Sequence, residues 1–193
     1  MSEMGGGSLS LLTDGELVGL AQKGERPAFE ELFHRHRDRL YTLALGITGD
    51  QNEAGDVVQE TFLRAYKRLH ALEKDRSLIA YLCRTASNTA IDVLRARRQN
   101  KTVSLDEHAD LGLDAQAVRL GPDGTVIRDH QAAILIEAVV ALPEDQRVVI
   151  VLHHLEDIGI AEISERLKIP AGTVKSRLGR GREILRRKLE GKV

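Results

Sequence analysis

The 193-residue sequence has no tryptophan, 3% aromatic residues, four prolines and a single cysteine. Each scarcity removes a class of protein. So few aromatics argue against one large aromatic-rich core, and two modest helical domains suit the length better. Cys83 stands alone, with no partner for an internal disulfide and no second thiol for a metal site. A reducing compartment follows, the cytoplasm by default. No apolar run approaches the length that crosses a bilayer, and the N-terminus lacks the basic and apolar regions of a signal peptide, so no direct membrane insertion is expected. Residues 1–10, with Gly5, Gly6 and Gly7, read as a disordered leader. No paired carboxylates, no nucleophile with its base and no phosphate-cradling loop stand out, so neither an enzyme nor a bound cofactor is expected.

What the sequence has in quantity is charge, 30% of its residues, and it is unevenly placed. The formal net charge of -1 averages over segments of opposite sign. From Arg166 to Val193 there are ten Lys or Arg against two Glu, whereas Ser104 to Asp129 holds six acidic residues against two basic ones. A basic tail suits nucleic acid, and an acidic middle must do something else.

Helical periodicity runs through both ends. Thr13 with Glu16 three residues on makes a capping-box pattern ahead of Leu17, Leu20 and Ala21, and Gly24 closes the segment. Pro27 opens a long second helix whose stripe of Phe29, Leu32, Phe33, His36, Leu40, Leu43, Ala44 and Ile47 ends at Gly49. Asp50 or Asn52 caps a third, with Val57, Val58, Thr61, Phe62, Ala65 and Leu69 inward and Asp56, Gln59, Glu60 and Lys67 outward. Ser77 caps a fourth that turns Leu78, Leu82, Thr85, Ala86, Thr89 and Val93 inward.

These four helices define a first domain over residues 11–99. From 100 to 128 the period fails, and Gly112, Gly121, Pro122 and Gly124 mark a flexible acidic linker. Fully extended it spans roughly 90 to 100 Å at about 3.3 to 3.6 Å per residue. A second helical domain, residues 129–193, starts with an apolar helix through Ala141 and restarts at Pro143. It then shows a short helix from Ile160 to Leu167, a turn at Lys168, Ile169 and Pro170, and a long basic helix from Ala171 to Leu189. That is the layout of a helix-turn-helix.

The second helix of such a motif enters the major groove with its N-terminal residues at base edges. Gly172 lets the backbone approach DNA, Thr173 caps or holds phosphate, and Val174 and Leu178 anchor the helix inward. Lys175, Ser176 and Arg180 face outward, and Arg182, Arg186, Arg187 and Lys188 extend the charge along the phosphates. The plainer alternative is a solvated basic amphipathic helix, disfavoured by the short helix and turn before it.

Two motifs now carry a family resemblance. The run Leu142-Pro143 with Gln146-Arg147, then Glu162-Ile163 with Leu167, then Ile169 through Leu178, resembles the fourth region of extracytoplasmic-function sigma factors. Asp56-Val57-Val58-Gln59-Glu60-Thr61-Phe62-Leu63-Arg64-Ala65-Tyr66 resembles the same family's second region. The resemblance implies an all-α fold, with a four-helix region 2 domain and a helix-turn-helix region 4 domain.

By that resemblance Asp56, Gln59, Glu60 and Arg64 dock on the clamp helices of the polymerase's largest subunit. Lys74, Asp75, Arg76, Ser77 and Tyr81, followed by Arg84, Asn88 and Arg95, capture and open the minus-ten element. Gly172, Thr173, Lys175, Ser176, Arg177, Arg180 and Arg182 read the minus-thirty-five element. The implied partners are core RNA polymerase, through its clamp helices and flap, promoter DNA, and an anti-sigma factor.

Plainer readings stand beside these. Glu60 and Arg64 also form an ordinary i, i+4 surface pair, and Tyr81 serves equally as a core aromatic with its hydroxyl at the surface. Gly55 departs from the family's usual acidic residue, and Gly179 and Gly181 leave recognition-helix positions without side chains. His34, His36, His153 and His154 lack a further ligand at suitable spacing, so no metal site is expected. The rival function is a stand-alone helix-turn-helix regulator that binds its operator without polymerase.

Overall fold

The computed structural model describes residues 9–72, 77–103, 119–120, 125–126 and 130–190. Among these residues eight α-helices carry the fold: α1 (Asp14–Gln22), α2 (Arg26–Thr48), α3 (Gln51–Lys67), α4 (Leu78–Val103), α5 (His130–Val140), α6 (Glu144–His154), α7 (Ile160–Leu167) and α8 (Ala171–Leu189). Among the described residues the fold is all-α apart from a two-residue antiparallel pairing of β1 (Arg119–Leu120) with β2 (Thr125–Val126), Arg119 opposite Val126.

Local chemistry sets the helix ends. The Thr13 hydroxyl accepts from the Glu16 amide while the Glu16 carboxylate accepts from the Thr13 amide, a closed capping box. Those bonds hold the Glu16 carboxyl below its ordinary value. Gly49 ends α2 in the left-handed region, φ 71°, with its amide donating to the Leu45 carbonyl. Asp50 then accepts from the amides of Asn52 and Glu53 and starts α3. Helix α4 runs on to Val103, past the Asn100 at which the sequence pattern places the linker.

Helices α1 to α4 pack as a first half around Leu17, Leu32, Leu40, Val57 and Leu82. His36 Nε2 lies 2.8 Å from Asp14 Oδ2, and Arg35 Nη1 donates to Asp14 Oδ1 at 2.9 Å, tying α2 to α1. Helices α5 to α8 form the second half around Leu152, Ile163, Val174 and Leu178.

The halves pack on each other, and their buried residues join in one continuous core. Helix α6 is the seam. Val148, Val149, Ile150, Val151 and Leu152 are all buried, and five successive helical residues cover every direction around the axis. One side meets α8, where Gly181 lies against Ile150, and another meets α2, where Gly46 lies against Val151. Helix α4 likewise buries Cys83, Ser87, Ile91 and Leu94 in addition to the face read from its pattern.

Candidate nucleic-acid interface and docking face

In the helix-turn-helix, Lys168 takes up the left-handed conformation, φ 55°, and the Ser164 hydroxyl donates to the Ile169 carbonyl at 2.6 Å. Together they fix the turn between α7 and α8. Pro170 begins α8 without a side-chain cap, so the helix presents its amide end outward, a natural phosphate contact. Val174 and Leu178 are buried, as an inward i, i+4 pair must be. Gly172, Lys175, Ser176, Gly179, Arg180 and Arg182 are exposed, and Thr173 is half-buried.

Several of these side chains already have partners. The Ser176 hydroxyl donates to the Thr173 carbonyl at 3.0 Å. Arg177 turns back, its Nε 3.3 Å from Asp145 Oδ2. Arg182 Nε donates to His154 Nε2 at 3.1 Å, which puts the imidazole proton on Nδ1. Burial first, then Arg182 and His153, keeps His154 below its ordinary pKa. Further along, Arg186 and Arg187 both bond Glu183, whose carboxyl is pushed down to about 2 by those bonds, the one from Arg186 first. The last turns of α8 are therefore less cationic than their arginine count suggests.

Gly181 is not a missing base contact. It is buried, and a Cβ there would stand 2.8 Å from Ile150 Cγ1, so the glycine lets α8 approach α6. Gly179 has open space around it and does lie on the outer face.

On α3, Asp56 and Gln59 are exposed, and Glu60 Oε1 accepts from Arg64 Nε at 2.7 Å. The same face carries Leu63, 47% exposed, and Tyr66, 58% exposed, which the reading for charged docking residues passes over. Spacing contains the signal: positions 56, 59, 60 and 63 fall at i, i+3, i+4 and i+7, and Tyr66 follows Leu63 by three. The Tyr66 ring packs edge-on against Phe29 with centroids 5.1 Å apart, which holds it in place at the surface.

On α4, Ser77 caps the helix by accepting from the Ala80 amide at 3.4 Å. Tyr81 is half-buried against the core, and Arg84, Asn88 and Arg95 are exposed along one face. Lys74, Asp75 and Arg76 lie outside the described residues. The segment leading to them is clamped, because Gln22 Nε2 donates to the carbonyls of Leu69 and Leu72, both at 2.9 Å.

Of the four histidines considered for a metal, His36 pairs with Asp14, His153 Nδ1 lies 2.9 Å from the Ile158 carbonyl, and His154 bonds Arg182. Among the described residues no three His, Cys, Asp or Glu side chains converge on a point. No helix among them is long and apolar enough to cross a membrane.

A helix-turn-helix module packed on a four-helix module, with acidic and apolar side chains exposed on α3, is the architecture of a two-part DNA-binding protein. Comparison agrees in detail. The family model for sigma-70 region 2 matches residues 32–100, and that for sigma-70 region 4 matches residues 132–185. The ECF RNA polymerase sigma factor SigW of Bacillus subtilis is 33% identical over 172 residues, 87% of this chain and 92% of SigW. The RNA polymerase sigma-H factor of Pseudomonas aeruginosa is 31% identical over 181 residues, 92% of this chain and 94% of its own.

Among solved structures, CnrH in complex with the cytosolic domain of CnrY aligns at 25% identity and a TM-score of 0.51, over 93% of this chain and 99% of that one. RpoE of Bartonella quintana, in complex with the anti-sigma factor NepR, shares the fold at 22% identity and a TM-score of 0.52, over 86% of this chain and 98% of its own. The chain belongs to the extracytoplasmic-function (ECF) RNA polymerase sigma factors. It is a transcription initiation factor and not an enzyme.

Proposed function

We propose that this sigma factor binds core RNA polymerase through the α3 face of Asp56, Gln59, Glu60 and Arg64, reads and opens the minus-ten element along α4, and reads the minus-thirty-five element with the start of α8. The observation that carries the assignment is the separation of faces. Carboxylates with Leu63 and Tyr66 are exposed on α3, arginines with Asn88 on α4, and a cationic, uncapped helix start on α8. Acidic and apolar groups suit a protein partner, whereas cations suit phosphate. The corresponding units are residues 11–99 and 129–193, with 100–128 between them, working in the cytoplasm. The solved relative CnrH is bound by a second protein and RpoE by an anti-sigma factor, and we extend that kind of partner to this chain.

The test is in-vitro transcription with bacterial core polymerase, with and without the protein, on a pool of promoter fragments. Specific starts that appear only with the protein, preceded by two shared DNA elements, are expected. Tight operator binding by the protein alone, with no stimulation of polymerase, would instead indicate a stand-alone regulator.

A further inference from the structure

Lys175, Gly179 and Arg182 fall at i, i+4 and i+7 on the outer face of α8, and all three are exposed. A Cβ at Gly179 would meet nothing within 4 Å, so the approach to Arg182 along that face is open. Its partner sets Arg182 apart from the arginines that follow it. Arg186 and Arg187 both direct their donors to the Glu183 carboxylate, a charged acceptor. Arg182 gives only its Nε–H, to His154 Nε2 at 3.1 Å. Its Nη groups have no partner among the described residues, so the guanidinium keeps its charge and half of its fork for an outside acceptor.

His154 is itself held. It ends α6, and its ring meets that of His153 edge-on with centroids 4.8 Å apart. His153 Nδ1 donates to the Ile158 carbonyl at 2.9 Å, the one sense in which an imidazole and a carbonyl can bond. Ile158 is buried, and Asp157 before it takes the left-handed conformation, φ 52°. Contacts therefore run from the segment after α6 through two imidazoles to the guanidinium on α8. Burial first, then Arg182 and His153, holds the His154 pKa below 6.5, so the ring is a neutral acceptor at and above neutral pH.

We propose that His154 is a positioning residue for promoter recognition, fixing the Arg182 guanidinium by its Nε so that the two Nη groups are ready for a DNA phosphate. This rests on the function proposed above, with α8 as the DNA-reading helix. The first residues of a recognition helix meet base edges, and positions further along it meet the sugar-phosphate backbone. A surface arginine that must be ordered on binding loses rotamer entropy, which lowers affinity, and one already ordered in the free protein avoids part of that loss. The paired Nη donors match the oxygens of a phosphate.

The test uses holoenzyme formed with core polymerase and a promoter selected from the fragment pool, at pH 8, where replacing His154 removes no charge. Arg182→Ala should weaken promoter binding and reduce the salt slope by about 0.9. His154→Ala should weaken binding about two- to tenfold with the salt slope unchanged. His154→Gln, whose side-chain carbonyl still accepts from Nε, should restore most of the affinity. In an Arg182→Ala background His154→Ala should have no effect. Unaltered affinity in His154→Ala, an equal loss in His154→Gln, additive losses in the double variant, or a reduced salt slope in His154→Ala would each overturn the positioning role. The contact is also read without polymerase. Nitrogen-15 NMR of the full chain at pH 8 should show His154 protonated on Nδ1, with an Nε2 signal that moves in Arg182→Ala. A proton on Nε2 overturns the role even where transcription succeeds. A parent holoenzyme that selects no promoter strikes the proposed function and the role with it, whereas a parent that binds its promoter no better than the His154 variants do strikes the role alone.

Discussion

Arg177 of the recognition helix points its Nε at Asp145 Oδ2 of α6, 3.3 Å away, and so belongs to its own domain's scaffold before it belongs to DNA. Lys175 and Arg180 on either side are exposed. Arg177→Ala should lower the melting temperature modestly, the pair being worth about 0.2 to 1 kcal/mol at partial exposure, and leave the salt dependence of promoter binding unchanged. Lys175→Ala and Arg180→Ala should weaken holoenzyme binding across sequences and reduce the salt slope by about 0.9 for each phosphate that is no longer neutralised. Promoter titrations at several salt concentrations separate the two behaviours.

The proposed docking face gives a second test. Asp56→Ala with Glu60→Ala should abolish polymerase-dependent transcription while the circular-dichroism melt stays near that of the parent, because both side chains reach solvent. Leu63→Ser should weaken polymerase binding about five- to tenfold, as removal of a half-exposed leucine from a desolvated contact costs about 1 kcal/mol. Fluorescence anisotropy against core polymerase measures both. Unaltered affinity for all of these variants would move the docking site off α3.

Local chemistry was legible in the sequence to the residue: the capping box at Thr13 and Glu16, Gly49 at the end of α2, and the α7 and α8 boundaries all follow from rules confined to one turn of chain. The seam was not. Helix α4 reads as a one-faced helix when only its strongest stripe is followed, yet Cys83, Ser87, Ile91 and Leu94 form a second line at i, i+4, i+8 and i+11. The unbroken apolar run from Val148 to Leu152 on α6 likewise marks a helix covered all round. Those signals indicate that some partner exists without saying which. Arg147 stood in the region 4 motif, but its bonds to the Ile47 and Thr48 carbonyls, some hundred residues away, leave no periodic trace.

Glu156 predicts a pH dependence of stability. It lines a cavity with Arg39 and Cys83 from the first half and with Asp157 and Arg166 from the second, Arg84 adding a further cation. Burial raises its carboxyl pKa above 4.5, and the Cys83 thiol, Arg39 and Arg166 oppose that rise only in part. A raised value in the folded state means that its contribution is complete below about 4.5 and is lost as pH rises through the folded value. Glu156→Gln should therefore gain stability relative to the parent at neutral pH and lose that advantage in acid. Urea midpoints of the two proteins from pH 4 to pH 7 give the difference directly. Burial likewise lifts the Cys83 thiol to about 11, so its alkylation should be slow in the folded chain.

Two glycines, two positions apart on the recognition helix, should respond in opposite directions. A methyl group at Gly181 meets Ile150 Cγ1 at 2.8 Å and Gln146 Cβ at 3.5 Å, inside the contact between α8 and α6. Gly181→Ala should destabilise by about 1 to 3 kcal/mol, the usual consequence of overpacking a filled core. A methyl group at Gly179 meets nothing within 4 Å, and replacing glycine by alanine within a helix stabilises by about 0.8 to 1 kcal/mol. Gly179→Ala should raise the thermal midpoint. Because Gly179 lies on the outer face of α8, its effect on promoter choice separates from stability: an altered minus-thirty-five preference in Gly179→Ala, read from transcripts of a randomised promoter pool, places that face against the bases. Unchanged preference in a more stable protein would leave base reading to Lys175 and Arg180 and make Gly179 a position of close backbone approach.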